Sequence, residues 1–196
     1  MQKKFAQIIS SCFEPFTISL VALLIVCLQL PLPSEEKFNW FLVAITLGGL
    51  PPLVVYLYER KTGQIKDWFI TNRVERRDVQ IAWFVGSGLF FLVALFYEAP
   101  RLMLALSLTL VWLSLLITII SLFWKISVHM VGVTLFVMIL LFSYSANALW
   151  LLTLLPLVAW ARVELGHHTL TQVTVATALT VVSTYFVFYL YNLATF

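Results

Sequence analysis

Long apolar runs alternate with short polar breaks along almost the whole chain. Seven of the runs suit helices that cross a bilayer, whose hydrocarbon core takes about 20 mostly apolar residues per helix. These runs cover residues 16–32, 38–58, 79–96, 102–123, 128–142, 148–163 and 169–193. Ahead of them, residues 1–15 place Lys3 and Lys4 before an apolar stripe, which predicts a short interfacial segment.

The breaks between the runs carry residues that end or begin helices. Pro31 and Pro33 stop the first run, Gly166 stops the sixth, and Ser127 can cap the helix that begins near residue 128. A kink is predicted inside the second run, which contains Gly48, Gly49, Pro51 and Pro52. The polar break at 143–147 decides the count, since the prediction is six or seven spans depending on whether it reaches the surface.

Composition supports a membrane protein. Of 196 residues, 62% are hydrophobic and 11% are charged, whereas a soluble domain is about 45–50% apolar. We therefore predict an all-α, polytopic membrane helix bundle that forms a single integral membrane domain over residues 1–196. Cys12 and Cys27 stand apart from each other and from other ligand types, which predicts neither a disulfide nor a metal site.

The basic residues are distributed unevenly between the two predicted faces. With seven spans, ten of the 12 Lys and Arg residues fall on the face that holds the N-terminus and the 59–78 loop. Only Lys37 and Arg101 fall on the other. The positive-inside rule then predicts that the crowded face is cytoplasmic, in a plasma (inner) membrane.

All three histidines, His129, His167 and His168, fall on the crowded face together with Lys66, Arg73 and Arg162. Ionisable residues at membrane depth are costly and are candidates for function. Lys and Arg neutralise and clamp phosphate oxygens, and the helix after Ser127 directs backbone N–H groups to the same region. One histidine can attack phosphorus while another protonates the leaving oxygen, so the pattern indicates phosphate chemistry.

Three spaced motifs carry a family resemblance. Six residues lie between Lys66 and Arg73, and Val74 follows Arg73, which compares with K-x6-R-P. The stretch from Ile126 to His129 reads ISVH against P-S-G-H, and the stretch from Ala161 to Gln172 reads ARVELGHHTLTQ against S-R-x5-H-x3-D. With these motifs in order over residues 60–196, the chain resembles the type-2 phosphatidic acid phosphatase superfamily of membrane lipid phosphatases.

The resemblance implies a role for each matching residue. His168 would be the nucleophile that forms a phosphohistidine, and His129 would protonate the leaving group. Lys66, Arg73 and Arg162 would hold the phosphoryl oxygens, with a hydrogen bond from Ser127. The implied partner is a membrane lipid such as phosphatidic acid, phosphatidylglycerol phosphate or a polyprenyl phosphate or diphosphate. No metal, other cofactor or nucleic acid is implied, and the sequence does not fix an oligomeric state.

The chain departs from the family pattern at several positions. Val74, Ile126, Val128 and Ala161 replace Pro, Pro, Gly and Ser. The most consequential departure is Gln172, which stands where the family has an Asp that orients the nucleophilic histidine. Position 172 lies one helical turn after His168, so its carbonyl can accept the imidazole N–H but brings no charge. Neutralising the comparable Asp of a serine-protease triad costs about 10⁴ in rate.

Other readings of the same residues stay open. The chain could be a non-catalytic lipid-phosphate binding or scaffold protein of this superfamily, for which Gln172 is the main support. Lys66 and Arg73 could serve only to set topology. The three histidines, with Glu164, could instead hold a metal or a haem. A transporter is a further alternative, although transporter sites usually lie near the bilayer midplane and these cations lie at one surface.

Overall fold

The computed structural model describes residues 1–66, 70, 72 and 74–194, and this part of the chain is helical without strands. The predicted all-α fold is confirmed. The α-helices are α1 (Gln2–Cys12), α2 (Pro15–Gln29), α3 (Ser34–Ala44), α4 (Leu50–Lys61), α5 (Arg77–Phe96), α6 (Arg101–Phe123), α7 (Val128–Tyr144), α8 (Leu154–Glu164) and α9 (Leu170–Leu190). A π-helical turn (Ile45–Gly49) joins α3 to α4, and 3₁₀ segments (Val74–Arg76 and Ser145–Thr153) precede α5 and α8.

Within the described residues, five helical stretches are long and apolar enough to cross a membrane, or six if the bent pair α1 and α2 forms one span. The chain is therefore an integral membrane helix bundle, and the count reaches the lower of the two predicted values. The longest stretch, Val128–Glu164, cannot be straight, because α8 packs against α7. The chain reverses at Ser145, whose φ is 51°, so the break predicted at 143–147 is a turn between two helical arms.

The chain forms two compact units, Met1–Ala22 with Ile126–Phe196 and Leu23–Lys125. In the first unit, α7 runs in one direction, the arm ending in α8 returns, and α9 runs parallel to α7. Near the far ends of α7 and α9, Phe142 stacks on Phe188 with ring centroids 4.7 Å apart. The starts of α7 and α9 therefore lie at the same end of this unit, together with the end of α8.

Helix α1 packs along α8 in the same direction. Phe5 contacts Trp160 with ring centroids 6.0 Å apart, and further along both helices Ser10 is hydrogen-bonded to Arg162. Ala6, Ile9 and Ser10 face α8 and are buried, whereas Lys3 and Lys4 are exposed. This segment thus belongs to the packed first unit, and its predicted place at the membrane interface stays a prediction.

In the second unit, α5 and α6 form an antiparallel hairpin in which Gln80 Nε2 donates to Ser121 Oγ at 2.9 Å. The π-helical turn lies where the sequence predicts a kink. Pro51 has no N–H to donate to the carbonyl of Leu47 four residues earlier, which is left without its α-helical bond. Gly86 of α5 lies so close to this carbonyl that an added Cβ would clash with its oxygen, so the irregular turn and the glycine fit each other.

Candidate functional site

The turn between α8 and α9 is fixed by backbone hydrogen bonds around a left-handed glycine. Gly166 has a φ of +69°, and its N–H donates to the Val163 carbonyl at 2.9 Å. The Arg162 carbonyl accepts from the N–H groups of His167 at 3.1 Å and His168 at 3.3 Å. This is a Schellman arrangement, which satisfies the last carbonyls of α8 and directs the chain away from the helix axis. Arg162 and His168 are consequently tied together through their main chains.

A capping box at the start of α9 holds the partner of His168. Thr169 Oγ1 accepts from the Gln172 N–H at 3.3 Å, and Gln172 Oε1 accepts from the Thr169 N–H at 3.2 Å. The same Gln172 Oε1 lies 3.1 Å from His168 Nδ1. The sequence-based expectation that residue 172 meets the imidazole thus agrees with the geometry.

This contact determines how the His168 ring can act. A carbonyl oxygen only accepts hydrogen bonds, so Nδ1 carries the proton when it is bonded to Gln172. The neutral ring then has its lone pair on Nε2, the nitrogen that a nucleophilic role requires. Gln172 therefore supplies the orientation and tautomer that an Asp would supply, but it leaves out the negative charge that would stabilise an imidazolium.

Arg162 is the largest fully buried side chain of the described residues, with 0% of its surface exposed. Its Nη1 donates to Ser10 Oγ, which is also 0% exposed. Since an ionised arginine is expensive to bury without hydrogen bonds, the Ser10 hydroxyl helps to stabilise the guanidinium in this position. The structure thus places a cation inside the first unit at the end where α8 meets α9.

Ser127 and His129 lie at the start of α7. Ser127 is the N-cap, as predicted, and its Oγ accepts from the Met130 N–H at 3.5 Å, a long hydrogen bond. His129 is the second residue of the helix and is 5% exposed. The N-termini of α7 and α9 point the positive ends of their dipoles toward the same end of the unit, which favours an anion there.

The other two predicted site residues are not among the described residues of the first unit. Lys66 belongs to the second unit, where its side chain is exposed and its backbone N–H donates to Glu75 Oε2 at 3.3 Å. Arg73 lies outside the described residues. Five of the seven predicted site residues, namely His129, His168, Gln172, Ser127 and Arg162, thus share one end of the first unit.

Two contributors were not predicted from the sequence. Thr169 holds Gln172 in place through the capping box. The Thr-x-x-Gln pattern at the start of a helix could have predicted this pairing from the sequence. Ser10 contacts Arg162 from a position 152 residues away, and no local pattern marks it.

The sequence analysis also considered a metal or haem held by the histidines with Glu164. Glu164, the carboxylate nearest to His168 in the sequence, is half-buried and makes no hydrogen bond or ion pair with any described residue. Among residues 1–66, 70, 72 and 74–194, no three His, Cys, Asp or Glu side chains are placed to hold a metal ion.

No protein-family model, curated protein sequence or solved structure matches this chain. The resemblance to the phosphatase superfamily therefore stays a prediction that rests on the motif residues.

Proposed function

We propose that the protein hydrolyses a phosphate monoester or diphosphate of a membrane lipid through a phosphohistidine intermediate, as a divergent member of the type-2 phosphatidic acid phosphatase superfamily. The observation that carries the proposal is the 3.1 Å contact between His168 Nδ1 and Gln172 Oε1. It fixes the tautomer whose lone pair is on Nε2, at the end of the unit that holds a buried arginine and two helix N-termini.

The reaction has two steps. His168 Nε2 attacks phosphorus, the bond from phosphorus to the lipid oxygen breaks, and His129 gives a proton to that oxygen, so the dephosphorylated lipid leaves. Water then attacks the phosphohistidine and gives up a proton to His129, which releases inorganic phosphate and restores both histidines. Arg162 holds the non-bridging oxygens, and the Ser127 hydroxyl donates a hydrogen bond to them.

The substrate class follows from the setting of these residues. The phosphate-binding groups belong to a chain that is mostly apolar helix, so a headgroup can reach them while its hydrocarbon chains stay in the bilayer. Phosphatidic acid, phosphatidylglycerol phosphate and polyprenyl phosphates or diphosphates meet this requirement. The unequal distribution of Lys and Arg favours the cytoplasmic face of the plasma membrane as the location of the site.

The test is phosphate release by the purified protein in detergent with EDTA present throughout. The panel comprises phosphatidic acid, phosphatidylglycerol phosphate, farnesyl diphosphate and undecaprenyl diphosphate. We expect release from at least one lipid, abolished by His168→Ala and retained by His167→Ala, the neighbouring histidine that matches no motif position. Equal activity in the wild type and His168→Ala would contradict the phosphohistidine route.

Gln172 favours one alternative, a lipid-phosphate binding protein without turnover. An uncharged partner leaves the imidazolium that forms during the reaction without a counter-charge, and this can slow the chemistry by up to about 10⁴. Folded wild-type protein that binds lipid phosphates but releases no phosphate from the panel would favour this alternative.

A further inference from the structure

The N-terminal helix supplies a residue to the candidate site. Helix α1 precedes the region of the three motifs, yet it packs along α8 and buries Ser10 against Arg162. Ser11, the next residue, is exposed. The two adjacent serines thus have different environments, and only the buried one faces the arginine.

The hydrogen bond constrains a side chain that otherwise has many conformations. An arginine carries about 2 kcal/mol of rotamer entropy, and its planar fork must be oriented to bind a phosphoryl group with two N–H donors. The bond from Nη1 to Ser10 Oγ fixes one edge of the guanidinium. The guanidinium then has a defined orientation before an anion arrives, which lowers the entropic cost of binding.

We infer that Ser10 is a positioning residue for anion binding, because it orients the Arg162 guanidinium toward the phosphate. This inference rests on the proposed function for the role of Arg162. It makes α1 a part of the site, not only a membrane-associated extension ahead of the motifs.

The experiment measures anion binding separately from hydrolysis. Binding of orthovanadate, a phosphate analogue, is followed by the rise in melting temperature of the full-length protein in detergent. Ser10→Ala should raise the dissociation constant for vanadate about tenfold, the size of effect expected from losing one hydrogen bond to a charged group. Ser11→Ala is the matched control and should bind vanadate as the wild type does.

A double-mutant cycle with Arg162→Lys separates positioning from a general structural role. Lysine has no planar fork for Ser10 to orient, so Ser10→Ala should cause no further loss of vanadate affinity in the Arg162→Lys protein. If lipid hydrolysis is measurable, Ser10→Ala should raise KM more than it lowers kcat. The melting temperature of each variant without vanadate reports whether it is folded.

The outcomes distinguish this inference from the proposed function. Weakened vanadate binding in Ser10→Ala with no hydrolysis by the wild type would support the positioning role and contradict the enzyme. Hydrolysis by the wild type with unchanged vanadate affinity in Ser10→Ala would contradict the positioning role alone. The positioning role would also be overturned if Ser10→Ala lowered vanadate affinity equally in the wild-type and Arg162→Lys proteins. Absence of vanadate binding by the wild type would overturn it as well.

Discussion

At the scale of single residues, Gln172 is the side chain whose chemistry most affects the proposed reaction. Its Oε1 accepts from the Thr169 N–H and meets His168 Nδ1, so both acceptor positions of this oxygen are used. A carboxylate of the same length could make both contacts and add a charge beside the ring. The family residue, Asp, carries the charge on a side chain that is one methylene shorter.

We expect Gln172→Glu to raise kcat, because the carboxylate would stabilise the imidazolium that forms on His168. The gain should lie between a few-fold and about 10⁴. Gln172→Met, which keeps the length and removes the acceptor, should lower kcat. The measurement is steady-state phosphate release from the best lipid of the panel, and lower kcat in Gln172→Glu than in the wild type would mean that the charge disturbs the pocket.

At the scale of elements, the reversal from α8 to α9 determines where His168 lies. It depends on Gly166, the residue in the left-handed region, where nothing lies within 4 Å of the position that a Cβ would take. A side chain there would therefore be unfavourable because of the left-handed backbone conformation, and not because it would clash with a neighbour.

Gly166→Ala should destabilise the protein by about 1 kcal/mol and lower turnover, since the strained turn carries the main-chain bond between Arg162 and His168. Gly88→Ala is the control, because Gly88 lies inside α5 with open space around it and alanine favours a helix. Thermal unfolding in detergent and lipid phosphate release would measure both effects. Unchanged stability in Gly166→Ala would show that the turn adopts another conformation.

At the scale of the whole molecule, the unequal distribution of Lys and Arg predicts the orientation in the membrane. The seven apolar runs predicted from the sequence would give seven crossings and termini on opposite faces. We expect a reporter fused after residue 194 to lie outside the cytoplasm and one fused after residue 125 to lie inside it. A cytoplasmic reporter after residue 194 would contradict the seven-span orientation.

The sequence alone determined the features that depend on local spacing. The apolar runs predicted the helices, because a bilayer-spanning helix needs a continuous stretch of about 20 apolar residues. Gly166 predicted the end of α8, and Ser127 predicted the cap of α7. The contact between His168 and Gln172 was predicted from a helical separation of four residues, but His168 precedes the N-cap Thr169, and the capping box that holds Gln172 makes the contact.

Only the tertiary structure decided which distant residues meet. Ser10 reaches Arg162 because α1 packs along α8, and the irregular turn at Ile45–Gly49 lies against Gly86 because α5 packs beside it. His129 and His168 share one end of the first unit because the chain reverses twice between α7 and α9. Such contacts depend on helix packing, and helices whose lipid-facing and buried sides are both apolar carry little sequence pattern that distinguishes one packing from another.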